Sequence, residues 1–182
     1  MKYVGADVEV TSDAAKVAMA DKVILPGVGA FGDCMKNLEK YGLVPVINET
    51  LTSGKPFLGI CVGLQMLFEG SEEAPGIAGL GYFKGQVEKI RTNLKVPHMG
   101  WNNLLLKNSS PLLNEAADGY VYFVHSFHAV PEDKEIITAV CDYGTEVTAA
   151  VGSGNVQAVQ FHPEKSSKVG LGILKAFKEW QL

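Results

Sequence analysis

The first half of the chain alternates short apolar runs with segments in which apolar residues recur at helical spacing. The apolar runs predict strands at residues 8–10, 23–25 and 56–60. The other segments predict helices at residues 14–19, 33–41, 43–51 and 62–68, the first capped by Ser12 or Asp13. Strands that are apolar throughout and alternate with helices are typical of a parallel sheet covered on both faces.

The second half is a succession of short strands. Apolar or alternating runs predict strands at residues 83–90, 101–106, 120–124, 136–140, 147–151 and 156–161. Residues 167–180 predict a closing helix, because one face carries Val169, Ile173, Leu174, Phe177 and Trp180. Short turns between strands favour antiparallel pairing, so we expect antiparallel strands to be added to the parallel core.

Length and composition narrow the class of protein. The 182 residues, 47% hydrophobic and 20% charged, indicate one globular domain. The net charge is −4 and no long run of Lys or Arg occurs, which argues against a nucleic-acid partner. No apolar stretch has the length of a membrane span or the character of a signal peptide. The 3 cysteines lack metal-site spacing, so we expect a cytoplasmic, reduced protein without membrane attachment.

The first candidate for chemistry is Cys61, in the sequence Gly-Ile-Cys-Val-Gly at residues 59–63. A nucleophile between two glycines, on a turn from an apolar strand into a helix, stands exposed above the sheet. The start of the helix favours a thiolate and offers the N–H of Val62 to an oxyanion. From this pattern alone, a free cysteine buried in an apolar segment is an equal alternative.

The second candidate is His162, in the sequence Phe-His-Pro-Glu at residues 161–164. Pro163 favours an extended backbone at His162, and residues two apart in an extended chain point the same way. Glu164 could then orient the imidazole of His162 and complete a Cys–His–carboxylate set with Cys61. The alternative, favoured when the motif is taken alone, is a loop histidine beside a solvated glutamate.

The third candidate is a glycine-rich turn at residues 26–32. Gly27, Gly29 and Gly32 match the dinucleotide-binding pattern G-x-G-x-x-G. That interpretation is weak, because the next strand ends in Gly-Ile-Cys and not in the acidic residue that would bind a ribose. The alternative is a turn whose backbone N–H groups face Cys61. The 20 glycines of the chain also indicate several tight turns close to a ligand.

Together these motifs resemble those of one enzyme family. The segments PGVGAFG at 26–32, GICVGLQ at 59–65, PHMGWN at 97–102 and FHPEKS at 161–166 have the order and spacing of a class I (triad) glutamine amidotransferase. Their variants are most similar to the glutaminase subunit of imidazole glycerol phosphate synthase, from histidine biosynthesis. The resemblance implies a three-layer, flavodoxin-like α/β fold, with a mostly parallel central sheet and added antiparallel strands.

The family hydrolyses L-glutamine to glutamate and ammonia, and the resemblance implies a role for each matching residue. Cys61 is the nucleophile, His162 the proton shuttle and Glu164 its support. The oxyanion donors map to Val62 and to the turn of Gly27, Val28 and Gly29, and the substrate contacts map to Gln65, Glu73, His125, Ser126 and Phe127. From the residues alone, Glu73 also fits a solvated acidic run with its neighbours. Glycines on both sides of Val28 predict a peptide flip that keeps the enzyme inactive until its partner binds.

The resemblance also implies a partner, a (β/α)8-barrel cyclase that uses the ammonia to make imidazole glycerol phosphate and aminoimidazole carboxamide ribotide. His98, Trp101, Asn102 and Lys165 map to the interface with that cyclase. No cofactor is implied, and His125 and His128, three apart on a strand, would face opposite sides, which argues against a metal site. A cysteine hydrolase or protease with the same nucleophile turn and a non-enzymatic binding module remain as alternatives.

The N-terminus differs from the family pattern. The family begins with an apolar strand, a Gly-Asn turn and most of a helix before its second strand. Here only residues 1–7 precede the strand predicted at 8–10, and they resemble the end of that first helix. The resemblance therefore implies a single amidotransferase domain over residues 1–182 that lacks the first strand and most of the first helix.

Overall fold

The computed structural model describes residues 1–114, 116 and 119–181. The helices are α1 Ala14–Met19, α2 Phe31–Lys40, α3 Val44–Thr52, α4 Val62–Gln65 and α5 Ser167–Glu179. The strands are β1 Val23–Gly27, β2 Phe57–Cys61, β3 Gly70–Ser71, β4 Gly85–Lys89, β5 His98–Asn103, β6 Leu105–Leu106, β7 Tyr120–His125, β8 Phe127–Pro131, β9 Ile137–Asp142, β10 Glu146–Ser153 and β11 Val156–Val159. Short 3-10 helices cover Lys2–Val4, Lys134–Ile136 and Pro163–Lys165.

The central sheet, with strand order β1-β2-β11-β10-β9-β6, has a parallel half and an antiparallel half. Strand β2 pairs in parallel with β1 on one side and with β11 on the other, and it is buried along its whole length. Strands β10, β9 and β6 continue the sheet in antiparallel pairings. The prediction of a parallel core with added antiparallel strands is confirmed.

The register of the parallel half positions the candidate site. Gly27 pairs with Cys61, and Ile60 pairs with Val159. Parallel strands have their carboxyl ends at the same edge of a sheet, where α/β proteins bind ligands. The turn after β1, the elbow after β2 and the segment after β11 therefore meet at one edge.

Two small sheets stand beside the central one. Strands β3, β4 and β8 form the first, and β5 pairs with β7 in the second. Sequence reasoning missed β3 and β8. It also merged β5 and β6 into one strand at 101–106, whereas β5 pairs with β7 and β6 pairs with β9. The split arises because the two segments hydrogen-bond to different sheets.

The strand predicted at residues 8–10 is wrong. The structure has no regular secondary structure there, and Val10 is 97% exposed. β-Branched residues favour a strand only where a neighbouring strand supplies hydrogen bonds and a face to pack against. None of the described strands pairs with this segment.

The predicted helices are present, with one difference after Cys61. Asp13, and not Ser12, caps α1 by accepting a hydrogen bond from the N–H of Ala15. The predicted helix 62–68 is α-helical only to Gln65, and Met66, Leu67 and Phe68 follow as buried turns of the core. No helix among the described residues has both the length and the apolar character needed to cross a membrane.

Candidate active site

Cys61 is the last residue of β2 and stands directly before α4. Its backbone has φ 57° and ψ −111°, a conformation that residues with a Cβ rarely adopt. The two flanking glycines are required by close packing. A Cβ on Gly63 would lie 1.9 Å from the carbonyl oxygen of Leu25, and one on Gly59 would lie 2.9 Å from that of Gly63. The predicted strand-to-helix turn around Cys61 is confirmed.

The glycine-rich turn after β1 lies against this elbow. A Cβ on Gly27 would come within 2.8 Å of Cβ of Val62, so Gly27 allows close packing and does not serve as a free hinge. Gly29 has φ +102° with open space around it, which makes Gly29 the conformationally special residue of the turn. The thiol of Cys34, on α2, donates a hydrogen bond to the carbonyl of Val28 at 3.6 Å. Cys34 is only partly buried, and its thiol ties α2 to the glycine-rich turn.

His162 is held from both sides. Its backbone N–H donates to the carbonyl of Tyr122 at 2.9 Å, and its own carbonyl accepts from Ser166 Oγ at 2.6 Å. Nδ1 of His162 lies 2.8 Å from Oε1 of Glu164. The predicted pair exists, but residues Pro163–Lys165 form a 3-10 helix and not an extended segment. The short helix turns Glu164 back onto the imidazole.

The charges of this pair favour an imidazolium. Hydrogen bonds to Cys61 and then to Glu164 raise the pKa of His162 to about 9, against the opposing effect of burial. Burial raises the pKa of Glu164, but hydrogen bonding and the charge of His162 outweigh it, so that pKa is lower than usual. With Nδ1 bound to Glu164, the other nitrogen of His162 is the one left for Cys61.

A cavity of about 290 Å³ lies at the carboxyl ends of β1 and β2. It is lined by Cys61, by His162 and by every predicted oxyanion and substrate residue except Gly27. Pro97 and Val124, which sequence reasoning did not select, complete the wall. The structure thus brings the predicted set together from positions 28 to 162 of the chain.

Glu73 differs from the acidic residues beside it. Glu69 and Glu72 form surface ion pairs with Lys84 and Arg91. Glu73 instead lines the cavity, and its Oε2 accepts a hydrogen bond from the N–H of Phe31 at 2.7 Å. The interpretation of Glu73 as a merely solvated charge does not fit these contacts.

A chain of hydrogen bonds runs behind the cavity. Nδ1 of His125 lies 2.8 Å from the carbonyl of Phe127, so the proton of His125 is on Nδ1. His125 Nε2 must then accept from His98 Nδ1 at 3.0 Å. His98 in turn exposes Nε2 to the amide of Asn102 at 3.4 Å. Burial lowers the pKa of His98 to about 4 and of His125 to about 3.

The predicted interface residues lie outside the cavity. Trp101 is 52% exposed, and Lys165 is at the surface with its Nζ above the ring of Tyr122. His98 is only 2% exposed and stacks on Phe123 and Tyr143. The expectation that His98 contacts a partner directly is therefore corrected: it supports β5 from inside, because its ring fills the space between aromatic neighbours.

One buried residue of the site was missed. Gln160 has no exposed surface, and its side chain lies between Gln65 and Cys61. A polar residue within the apolar run 156–161 was the available signal. No group of three or more His, Cys, Asp or Glu in the described part of the chain could hold a metal ion.

The comparison with protein families identifies the family of this chain. The model of the class I glutamine amidotransferases matches residues 2–178. The chain belongs to this family. The recognition from the four motifs is confirmed, and so is the expected fold class. Membership in this family also decides against a cysteine protease that shares only the elbow.

Several curated relatives of this amidotransferase are named imidazole glycerol phosphate synthase subunit HisH. The protein from Bacillus cereus strain G9842 is 50% identical over 179 residues, covering 98% of this chain and 85% of the relative. The protein from Methanothermobacter thermautotrophicus is 50% identical over 178 residues, covering 98% and 88%. The protein from Aquifex aeolicus is 49% identical over 173 residues, covering 94% and 84%. The expected similarity to this subunit is confirmed.

Solved structures support the fold of this amidotransferase. A structure described as a glutamine amidotransferase superposes with a TM-score of 0.75 at 18% identity, covering 97% of this chain and 89% of that one. PurLQS from Thermotoga maritima superposes with a TM-score of 0.65 at 22% identity, covering 87% and 79%. At these identities the likeness concerns the fold alone.

Proposed function

We propose that this chain is the glutaminase subunit of imidazole glycerol phosphate synthase and acts through Cys61, His162 and Glu164. The observation that carries the proposal is one cavity in which a strained Cys61 meets a histidine held by a glutamate. Its support from comparison is the identity of about half the residues to relatives named as that subunit.

The first half of the reaction forms a thioester. Sγ of Cys61, as the thiolate, attacks the side-chain carboxamide carbon of L-glutamine and forms a C–S bond. The imidazolium of His162 gives its proton to the leaving nitrogen, the C–N bond breaks, and ammonia departs. A Cys–His pair in which the histidine holds the proton suits this step, because the nucleophile is the thiolate.

The second half releases glutamate. Neutral His162 takes a proton from water as the water oxygen attacks the γ-glutamyl carbon. The C–S bond then breaks, and Cys61 leaves as the thiolate beside a protonated His162. Glu164 holds the imidazole in one orientation through both halves, which is the role of the third member of such a triad.

Backbone N–H groups stabilise the charge on the substrate oxygen. We assign one donor to Val62 at the start of α4 and the second to the turn of Gly27, Val28 and Gly29. Loss of one such donor raises the barrier by about 3–4 kcal/mol. A rotation of the Val28–Gly29 peptide, allowed by the open space at Gly29, would switch the second donor on or off. We assign this rotation as the step that partner binding controls.

The rest of the cavity recognises the amino-acid end of glutamine. The carboxylate of Glu73 suits the substrate ammonium. The hydrogen bond from the N–H of Phe31, at the start of α2, orients this carboxylate. Gln65 contacts the side of the substrate next to Cys61. The backbone around His125, Ser126 and Phe127 closes the cavity around the substrate's carboxylate end.

The ammonia passes to a (β/α)8-barrel cyclase, which forms imidazole glycerol phosphate and aminoimidazole carboxamide ribotide in the cytoplasm. We place the contact surface on Trp101, Asn102 and Lys165. An exposed tryptophan beside polar side chains is a common anchor of such surfaces. The reaction requires no cofactor, no metal ion and no nucleic acid.

Release of glutamate from glutamine tests the proposal. The purified chain is assayed alone, with the barrel cyclase, and with the cyclase and its nucleotide substrate. We expect hydrolysis that the loaded cyclase stimulates, and no hydrolysis by the variant Cys61→Ala under any condition. Glutamate release that survives Cys61→Ala, or hydrolysis of esters but not of glutamine, would contradict the assignment.

A further inference from the structure

The side chain of Gln160 is buried and touches both Cys61 and Gln65, the proposed nucleophile and a proposed substrate residue. It follows β11 and has no exposed surface. Its Oε1 accepts from Nε2 of Gln65 at 3.0 Å, and its Nε2 lies 3.8 Å from Sγ of Cys61. A primary amide buried this completely must satisfy both its donors and its acceptor inside the protein.

One fixed carbonyl determines the orientation of both amides. The carbonyl of Phe127 can only accept, so Gln65 must present Nε2 to it, at 3.0 Å. The same Nε2 has a second hydrogen, which is directed to Oε1 of Gln160. Gln160 therefore presents its N–H group, and not its carbonyl, to the sulfur of Cys61.

The backbone of Gln160 is held independently of this side chain. Its N–H donates to the carbonyl of Ala149 at 2.8 Å, on the neighbouring strand β10. The side-chain amide of Gln160 thus extends from backbone that the central sheet fixes in place, as a preorganised donor requires. A substitution of the side chain leaves that anchor in place.

We propose that Gln160 is a positioning residue for the glutaminase reaction, which supports the thiolate of Cys61 and fixes Gln65. The inference rests on the proposed function and names a further residue of the same site. An N–H···S contact is weak for a neutral thiol and stronger for a thiolate, because the acceptor then carries charge. The contact therefore favours the ionised nucleophile, in addition to the effect of His162.

The reactivity of Cys61 toward iodoacetamide tests this role without any glutamine. The rate of alkylation is followed across pH by mass spectrometry of the peptide that carries Cys61, since Cys34 and Cys141 are also free thiols. The variants are Gln160→Met, which removes both contacts at similar volume, and Gln160→Glu, which keeps an acceptor for Gln65. A hydrogen bond to a charged group is stronger than one between neutral groups, so we expect roughly ten-fold slower alkylation at pH 7 when it is removed.

The same variants should approach the wild-type rate at high pH, where every thiol is ionised. Gln160→Glu should be slowed at least as much as Gln160→Met, because its carboxylate opposes the thiolate. In turnover, kcat should fall in both variants, and KM should rise more in Gln160→Met, which also frees Gln65. An unchanged pH profile of alkylation in both variants would overturn the proposal.

The chain offers a matched control in Gln157. It is a second buried glutamine, on β11 itself, and its Oε1 accepts from Ser110 Oγ at 2.9 Å, away from the cavity. Gln157→Met should lower stability and leave the alkylation profile unchanged. If Gln157→Met changed the alkylation profile as much as the Gln160 variants do, the effect would be a general loss of packing and the inference would be wrong. If the wild type released no glutamate, the proposed function would fail, while the alkylation profiles would still decide the contact.

Discussion

Nδ1 of His98 lies 3.0 Å from Nε2 of His125, and both imidazoles are buried and uncharged. Burial lowers the pKa of His98 to about 4 and of His125 to about 3. In the unfolded chain each would titrate near 6.5. The pair joins the carbonyl of Phe127, at the cavity, to Asn102 on strand β5.

This pair should make the protein less stable in mild acid. Below pH 6.5 these two histidines bind protons in the unfolded chain but not in the folded chain. The free energy of unfolding that they contribute above pH 6.5 is therefore lost as the pH falls toward about 4. At pH 5 the loss is about 2 kcal/mol for each histidine. The raised pKa of His162 changes stability mainly between pH 6.5 and about 9, so on going from pH 7 to pH 5 it offsets only a small part of this loss.

Urea unfolding at pH 7 and pH 5 measures the effect. The variant His98→Asn keeps an N–H donor for His125 and removes one titrating group, so the difference between the two pH values should shrink by about 2 kcal/mol. An equal acid loss in the variant and the wild type would contradict this account. His128, whose pKa burial also lowers, contributes in the same direction in both proteins.

The backbone of Cys61 should make glycine the better residue for stability at that position. Its positive φ strains any residue with a Cβ by about 1–3 kcal/mol. We expect Cys61→Gly to exceed Cys61→Ala in free energy of unfolding by roughly 1–2 kcal/mol, although both lack glutaminase activity. Ala15→Gly, on the exposed face of α1, is the control and should destabilise. A more stable alanine variant at position 61 would rule out backbone strain.

Because Gly63 packs closely against Leu25, adding a methyl group at position 63 should lower both activity and stability. A Cβ on Gly63 would lie 1.9 Å from the carbonyl of Leu25, so α4 must move away from β1 and take Cys61 with it. We expect Gly63→Ala to lose most glutaminase activity and to lower the free energy of unfolding by about 1–3 kcal/mol. Gly172→Ala, on α5 with nothing within 4 Å, should keep activity and gain about 0.5–1 kcal/mol. Wild-type kcat/KM in Gly63→Ala would refute this.

The thiol of Cys34 should restrain the turn that we assign to the oxyanion. Its hydrogen bond holds the carbonyl of Val28 toward α2. We expect Cys34→Ala to raise glutamine hydrolysis without the partner by up to about five-fold, since the lost bond contributes about 1 kcal/mol or less. Cys34→Ser keeps a donor and should stay close to the wild type. Equal basal rates in all three proteins would argue that this contact does not control the turn.

Much of the fold was predictable because local sequence carried it. Apolar strands and capped helices gave β1, β2, α1 and α5 within a few residues of their observed ends. Strand β8 was missed because it contains His128 and ends at Pro131, which weaken a strand pattern. The strand predicted at residues 8–10 failed for the opposite reason, since its local preference finds no neighbour among the described strands.

The candidate site also has features set by local sequence and features set by tertiary packing. The sequence by itself determined the sharp turn at Cys61 and the contact of His162 with Glu164, because each lies within a few residues of sequence. Only the tertiary structure decided that Gly27 pairs with Cys61, that His98 is buried and that Gln160 reaches the sulfur. These facts depend on strand register and side-chain packing between segments up to 99 residues apart, which no local pattern encodes.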